Sequence, residues 1–154
     1  MKPLRTEDLN RILKNDLVTS KTYLGAFPSC IFPKTKKKQY SWISNTDNHV
    51  EKGEHWVCWF VNGNKVNFFD SYGRHPDDST LPFNFQEFAN QFNVIKFSTK
   101  RVQRWDSSAC GYFCVHFIYV LSLGLDYDVF LNDYSKSNFK MNDYFAVNFV
   151  KSII

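Results

Sequence analysis

The chain has 154 residues, of which 44% are hydrophobic and 18% aromatic, with 16 phenylalanines among them. That composition excludes a disordered chain, and the length predicts one globular domain over residues 1–154 that needs no disulfide bonds. The formal net charge is only +4, which predicts no more than weak attraction to nucleic acid or to acidic surfaces.

No apolar run is long enough to span a bilayer, and residues 1–21 are polar and charged, unlike a signal peptide. We therefore expect an intracellular protein, with no membrane partner, whose cysteines stay reduced. The four cysteines are Cys30, Cys58, Cys110 and Cys114. Only the last two lie close together, and no second Cys or His pair has the spacing of a zinc finger, so we predict no metal site.

In chain order, the first predicted element is a helix over residues 4–17, which Thr6 caps. Its apolar face consists of Leu9, Ile12, Leu13 and Leu17. Residues 23–28 read as a loop bounded by turns. The lysine run that follows, Lys34, Lys36, Lys37 and Lys38, reads as a solvated loop, with a binding patch as the less favoured interpretation.

The middle of the chain reads as a β-hairpin. Residues 56–61 are bulky and apolar, Asn62-Gly63 is a turn signal, and residues 65–71 form the return strand. In a regular two-residue hairpin around that turn, positions 55 and 70 lie opposite each other.

The second half contains a loop (73–82), a short helix (85–92), a strand (94–102) and a polar stretch (103–108). A helix over residues 110–123 follows and ends at Gly124. Because it is apolar nearly all round, we expect it to be buried at the centre. A closing helix runs from a cap at Asn142 to about residue 153. This order favours an α+β fold, in which a central mixed or antiparallel sheet packs on helices.

The central helix begins with Cys110, a candidate nucleophile. A thiol attacks as the thiolate, which is favoured beside an imidazolium or at a helix N-terminus. Asp106, Ser107 and Ser108 are residues of the capping type, so we expect Cys110 in the first turn. Gly111 would leave room there for a substrate backbone. The local sequence fits an ordinary buried cysteine equally well.

His55 opens the first hairpin strand and is the candidate base, and Asp70 on the return strand is the candidate acceptor for its ring. The hairpin register puts the two side by side. Gln103 and the N–H of Cys110 are candidate donors to an oxyanion. A surface histidine is the competing interpretation of His55, and weaker candidates for the base are His49, His75 and His116.

Together these residues resemble the adenovirus-type cysteine proteases, the adenain family, and more distantly the SUMO-specific proteases of the same clan. The matching stretches are Gly53-Glu54-His55-Trp56, Phe69-Asp70-Ser71-Tyr72-Gly73, Gln103 with Ser108-Ala109-Cys110-Gly111-Tyr112-Phe113-Cys114, and at the start Leu9-Asn10-Arg11-Ile12-Leu13 with Tyr23-Leu24-Gly25-Ala26-Phe27-Pro28. The order His, acid, Gln, Cys is specific to this group.

The resemblance implies a thiol-protease fold and an endopeptidase that cleaves viral, or virus-like transposon, precursor proteins after small residues such as glycine. It implies Cys110 as nucleophile, His55 as base, Asp70 as orienting acid and Gln103 as oxyanion donor. The residues expected to contact substrate are Gly53, Trp56, Trp105 and Gly111. By resemblance we also expect a location in the virion and the host nucleus, capsid-associated proteins as substrates, and a monomer.

Two departures from the family pattern change what is expected of activators. Adenovirus members usually carry Glu as the acid, whereas this chain has Asp70, as the SUMO-specific branch does. No cysteine lies between Cys58 and Cys110, so an activating peptide tethered through a disulfide is not expected. An activating peptide or DNA as cofactor is implied by the resemblance only, and the small net charge weakens the case for DNA.

Two alternatives remain at this point. One is an isopeptidase of the deSUMOylase or deubiquitinase type, which would need a folded ubiquitin-like substrate. The other is a catalytically silent module that binds peptide or nucleic acid, for which binding should depend steeply on salt if the ligand is DNA.

Overall fold

The computed structural model describes residues 1–47 and 55–154. Its helices and strands in chain order are α1 (Thr6–Asn15), β1 (Tyr23–Phe27), β2 (Gln39–Asn45), β3 (Trp56–Asn62), β4 (Lys65–Phe69), α2 (Phe83–Ala89), β5 (Val94–Lys96), α3 (Cys110–Ser122), α4 (Tyr127–Leu131) and α5 (Phe139–Ile153). The predicted α+β class is confirmed. No helix in these two ranges is both long enough and apolar enough to cross a membrane.

The five strands form one mixed sheet in the order β1-β2-β3-β4-β5. The central pairs, β2 with β3 and β3 with β4, are antiparallel. The two outer pairs, β1 with β2 and β4 with β5, are parallel. The predicted hairpin therefore occupies the middle of the sheet.

Helices cover both faces of the sheet, which explains why β3 is apolar from Trp56 to Val61. Cys58 and Phe60 face the larger core, which is formed with α1, α3, α4 and α5. Trp59 and Val61 face a second core, in which Phe85 of α2 is fully buried. Because successive strand residues point to opposite faces, a central strand covered on both sides has no solvent-facing position.

The central helix α3 is buried as predicted. Phe113 and Phe117 are fully buried, and the helix lies between β3 and α5. It ends just before Gly124, whose φ of +86° is a left-handed conformation that glycine adopts without a steric penalty. Because α3 is surrounded by protein on all sides, none of its faces needs to be polar.

The predicted cap and face of α1 are partly wrong. Arg5, and not Thr6, is the N-cap, because the carboxylate of Asp8 reaches back to accept the Arg5 N–H at 2.9 Å. Leu9 is buried as predicted, whereas Leu17 lies beyond the helix end and is 84% exposed.

Several other predicted elements differ in extent. The loop predicted at residues 23–28 contains strand β1, and β2 and α4 were not predicted. The strand predicted over 94–102 is only three residues long. Helix α5 begins at Phe139 and is capped by Asn138, which accepts the Met141 N–H at 3.1 Å. The predicted cap Asn142 is instead buried inside α5, where its amide donates to the Val102 carbonyl at 3.0 Å.

The hairpin turn lies one residue later than predicted. Asn62 pairs with Lys65 and Cys58 with Phe69, so the turn residues are Gly63 and Asn64. Gly63 has a φ of +59°, and a positive φ at the first turn position is typical of a type II′ hairpin. In this register the position opposite residue 70 is residue 57, and residue 55 is its diagonal neighbour on the same face.

Candidate active site

The nucleophile candidate lies where the sequence predicts. Cys110 is the first residue of α3 and is 7% exposed. The residue before the helix is Ala109, which makes no side-chain cap, so the prediction that Asp106, Ser107 or Ser108 caps this helix is wrong. Ser107 instead bonds within its own loop. The first backbone N–H groups of α3 are thereby left unused by side chains of that loop.

The sheet brings His55 to Asp70 despite the shifted register. Nε2 of His55 lies 2.7 Å from Oδ1 of Asp70, and both residues are buried. The partner of residue 70 moves by two positions, from residue 55 to residue 57, and a move of two positions keeps the side chains on the same face. A diagonal neighbour is within reach of a histidine side chain. The predicted proximity is therefore observed, through a diagonal contact and not a direct one.

Three donors converge on Asp70: His55, the N–H of Tyr72 at 3.0 Å and Nε of Arg74 at 2.5 Å. Burial alone would raise the pKa of Asp70, but the hydrogen bonds and charges of His55 and Arg74 outweigh it and hold that pKa below its usual value. Asp70 is therefore a carboxylate near neutral pH, with both oxygens occupied.

The ring of His55 is held between charged groups and an aromatic ring. Burial alone would lower the pKa of His55, but hydrogen bonds to Asp70 and Cys110 and the charges of both groups raise it to about 9. The ring of Tyr72 stacks on it, with centroids 4.5 Å apart and an interplanar angle of 12°. Because Nε2 faces Asp70, Nδ1 is the nitrogen left for Cys110.

Sγ of Cys110 also accepts the backbone N–H of Trp56 at 3.5 Å. The sulfur therefore has a backbone donor beside it, at the beginning of β3 and of α3. Cys110, His55 and Asp70 together form the constellation that a nucleophilic thiol requires: nucleophile, base and a group that orients the base.

Gln103 lies behind this group and is fully buried. Its Nε2 donates to the carbonyl and hydroxyl oxygens of Ser107 at 2.9 and 3.2 Å, and its Oε1 accepts the Ser71 hydroxyl at 2.5 Å. In this structure the Gln103 amide is bonded to the loop that precedes Cys110 and does not open directly into solvent.

A cleft of about 930 Å³ lies over Cys110 and His55. One part of its wall is the N-terminal segment, residues 3–7, and another part is residues 105–108. The other lining residues are Asn45, Trp56 and Tyr72. Trp56 is half-buried, and its Nε1 donates to the Leu4 carbonyl at 2.9 Å.

Of the four predicted substrate contacts, two line this cleft. Trp105 is 66% exposed and packs against Tyr72, with ring centroids 4.7 Å apart and the rings tilted by 31°. The backbone N–H of Trp56 contacts Cys110. Gly111 is buried, and a Cβ added to it would lie 3.1 Å from Leu4 and 3.4 Å from Trp56. Its small size therefore admits the N-terminal segment. The prediction for Gly53 lies outside the described residues.

The remaining candidates lie elsewhere. His75 is in a loop beside Asp77, and His116 is buried in α3, with Nδ1 2.6 Å from the Tyr134 hydroxyl. His49 is outside the described residues. Cys58 and Cys114 are buried in the larger core, whereas Cys30 is exposed. Among the residues that the structure describes, no cluster of His, Cys, Asp and Glu could hold a metal ion.

Three features of the site were not predicted from the sequence: Arg74, the role of Ser71, and the part of the cleft wall formed by residues 3–7. Ser71 lies in the stretch that resembles the family's acid motif, but nothing in its position indicated a bond to Gln103, 32 residues later. For Arg74, the sequence shows only that an arginine follows the candidate acid Asp70 by four residues, which does not by itself indicate an ion pair. The N-terminal wall depends on how α1 packs, which local sequence does not indicate.

The fold is similar to that of the adenain-like cysteine proteases. No family model matches the chain. The chain is 33% identical over 129 residues to the protease of bovine adenovirus 2, an alignment covering 75% of this chain and 62% of that protein. It is 30% identical over 112 residues to uncharacterized protein V9 of Sputnik virophage, covering 60% and 55% of the two chains.

Among solved structures, the ASFV pS273R protease superposes with a TM-score of 0.55 at 16% identity, covering 94% of this chain and 69% of that one. This likeness shows the fold. The chain spans little more than half the length of the two curated relatives, and both are viral. The resemblance predicted from the motifs is thereby confirmed, and a viral origin is supported.

Proposed function

We propose that the chain is a cysteine endopeptidase in which Cys110 is the nucleophile, His55 the general acid and base, Asp70 the orienting acid and Gln103 an oxyanion donor. The observation that carries the proposal is the His55 ring, whose Nε2 lies 2.7 Å from the Asp70 carboxylate and which lines the same cleft as Cys110. A packing cysteine has no need of either partner.

The reaction follows from these positions. The Cys110 thiolate attacks the substrate carbonyl carbon, and the resulting oxyanion is stabilised by donors near the start of α3. When the C–N bond breaks, the leaving amine takes a proton from His55. Water then attacks the thioester, giving its proton to His55, and the carboxylic acid product leaves as Cys110 is regenerated.

Gln103 can join this reaction through Ser107. Of the two bonds that its Nε2 makes, the longer goes to the Ser107 hydroxyl, and Ser107 lines the cleft. An oxyanion is a stronger acceptor than a hydroxyl. We therefore propose that the oxyanion takes the place of that hydroxyl when substrate binds.

The proposed substrates are viral precursor proteins cleaved after a small residue such as glycine. The cleft supports this proposal because Trp56 and Trp105 put two bulky rings into the same cleft that Cys110 lines, which limits the room for a large side chain at the scissile bond. An activating peptide or DNA remains a prediction from the resemblance.

Cleavage of fluorogenic peptides tests the proposal. We expect peptides with glycine before the scissile bond to be cleaved faster than matched peptides with leucine. Cys110→Ala should abolish cleavage, whereas Cys30→Ala, which removes an exposed cysteine away from the cleft, should keep it. Gln103→Ala should lower kcat about a hundredfold.

The same assay separates the alternatives. Cleavage confined to a folded ubiquitin-like protein carrying the same C-terminal residues would favour an isopeptidase. No cleavage with or without added DNA, together with binding that weakens steeply with salt, would favour a nucleic-acid-binding module and contradict the proposal.

A further inference from the structure

Ser71 joins the acid end of the hairpin to Gln103. It follows Asp70 directly and is 1% exposed, and its hydroxyl donates to Oε1 of Gln103 at 2.5 Å. Its backbone carbonyl accepts the N–H groups of Val102 at 2.9 Å and Gln103 at 3.2 Å. One residue therefore holds Gln103 by main chain and side chain together.

The donor and acceptor roles in this contact follow from chemistry. The Ser107 carbonyl can only accept, so the amide nitrogen of Gln103 must face it. That orientation turns Oε1 toward Ser71, whose hydroxyl must then donate. Without this hydroxyl, a fully buried amide oxygen would lack its donor, and the amide would lose the bond that selects its orientation.

We propose that Ser71 is a positioning residue for the oxyanion donor: its hydroxyl fixes Oε1 of Gln103 so that Nε2 faces Ser107 and the start of α3. This inference rests on the proposed function, in which Gln103 stabilises the oxyanion. Ser71 lies behind Gln103, and the residues that line the described cleft do not include it, so it acts through Gln103 and not on substrate.

A residue with this role affects the transition state and not ground-state binding. Donors aimed at an oxyanion act where negative charge develops, and an amide free to rotate must be reoriented at that moment. We therefore expect Ser71→Ala to lower kcat about tenfold, a part of the loss expected when the whole donor is removed, with KM changed less than about twofold.

The test is a double-mutant cycle on kcat and KM with Ser71→Ala, Gln103→Ala and the double variant. We expect Ser71→Ala to cost nothing further in the Gln103→Ala background. The matched control is Ser41→Ala on β2, which removes another fully buried hydroxyl. That hydroxyl is 3.0 Å from the hydroxyl of Thr22. Ser41→Ala should leave kcat unchanged. Thermal unfolding of each variant is measured alongside.

Three results would overturn the inference. Equal losses from Ser71→Ala in both backgrounds would mean that Ser71 acts without Gln103. Native kcat in Ser71→Ala would mean that the hydroxyl is not needed. Native kcat in Gln103→Ala would remove the proposed oxyanion role, and this inference with it.

If Ser71→Ala does not fold, Ser71→Cys provides the same comparison, because a thiol is a similar but weaker donor. It should give a reduced kcat with native KM. A native kcat in that variant would contradict the proposal.

Discussion

At the scale of residues, partners outweigh burial in setting the charge of the His55 ring. Burial alone would keep the ring neutral, whereas the bonds and charges of Asp70 and Cys110 raise the pKa to about 9. Arg74 in turn helps to keep Asp70 ionised. The ring therefore carries a proton at neutral pH, when it must supply one to a leaving amine.

Asp70→Asn should move the alkaline limb of the pH–activity profile to lower pH. In the native chain, the protonated ring is lost as pH rises through about 9, so kcat/KM should fall above that value. Without the Asp70 carboxylate, burial lowers the pKa of His55 with less to oppose it, so the ring loses its proton at a lower pH. We also expect kcat at neutral pH to fall at least about a hundredfold, because the ring loses its orienting acceptor.

The measurement for this variant is kcat/KM for one peptide from about pH 6 to about pH 10. Alkylation of Cys110 by a small electrophile is the control, since it needs no proton donor and should not fall at high pH. An unchanged alkaline limb in Asp70→Asn would show that Asp70 does not set the pKa of His55.

At the scale of elements, much of the site could be predicted because it depends on a short hairpin and one helix start. The apolar run at residues 56–61 and the Asn62-Gly63 signal identified the hairpin, and Gly124 identified the end of α3. The one-residue error in the turn did no harm, because it changed a direct pair into a diagonal pair on the same face. If the partner of residue 70 had moved by one position only, His55 and Asp70 would lie on opposite faces of the sheet.

Elements that depend on distant partners could not be predicted. Strand β1 contains a glycine and pairs in parallel with β2. No tight turn joins β1 to β2, so the sequence carries no hairpin signal for this pair. After β5, the backbone of residues 102 and 103 donates to the Ser71 carbonyl. The chain there follows the loop after β4, so the predicted strand ends early.

Two glycines with positive φ offer a matched test of this packing. Gly73 has a φ of +77°, and a Cβ there would lie 2.7 Å from the Lys100 carbonyl carbon and 2.8 Å from the Arg101 nitrogen. Gly63 has a φ of +59° with open space around it. Gly63→Ala should therefore cost about 1 kcal/mol through φ alone, and Gly73→Ala considerably more, because the two backbone segments must separate.

Urea unfolding of both variants measures the difference. Activity adds a second readout, since Gly73 lies in the loop that carries Asp70 and contacts the segment leading to Gln103. The folded Gly63→Ala protein should keep native kcat, whereas Gly73→Ala should lose activity. Equal costs in the two variants would show that this close contact does not constrain the loop.

At the scale of the whole molecule, a buried histidine outside the site couples stability to pH. His116 is 3% exposed, packs among rings that include Phe130 and Phe149, and contacts Tyr134. Burial lowers the pKa of His116 to about 4. Its pKa is lower in the folded than in the unfolded state, so the stability it confers is present above about pH 6.5 and is lost as pH falls toward 4.

We expect the free energy of unfolding to fall by up to about 3 kcal/mol across that range. His116→Gln, which keeps a hydrogen-bonding group near Tyr134, should be less stable at neutral pH but should lack this part of the pH dependence. Urea unfolding at several pH values measures both chains. An identical slope in the two would mean that other groups cause the acid sensitivity, the nearby Asp133 among them.

The central claim, that Cys110 is an activated nucleophile served by His55, is tested most directly by an electrophilic peptide probe ending in glycine. We expect a single adduct that peptide mapping locates on Cys110, that is absent from Cys110→Ala and strongly reduced in His55→Ala. An adduct on the exposed Cys30 instead, or equal labelling of Cys110 with and without His55, would contradict the account.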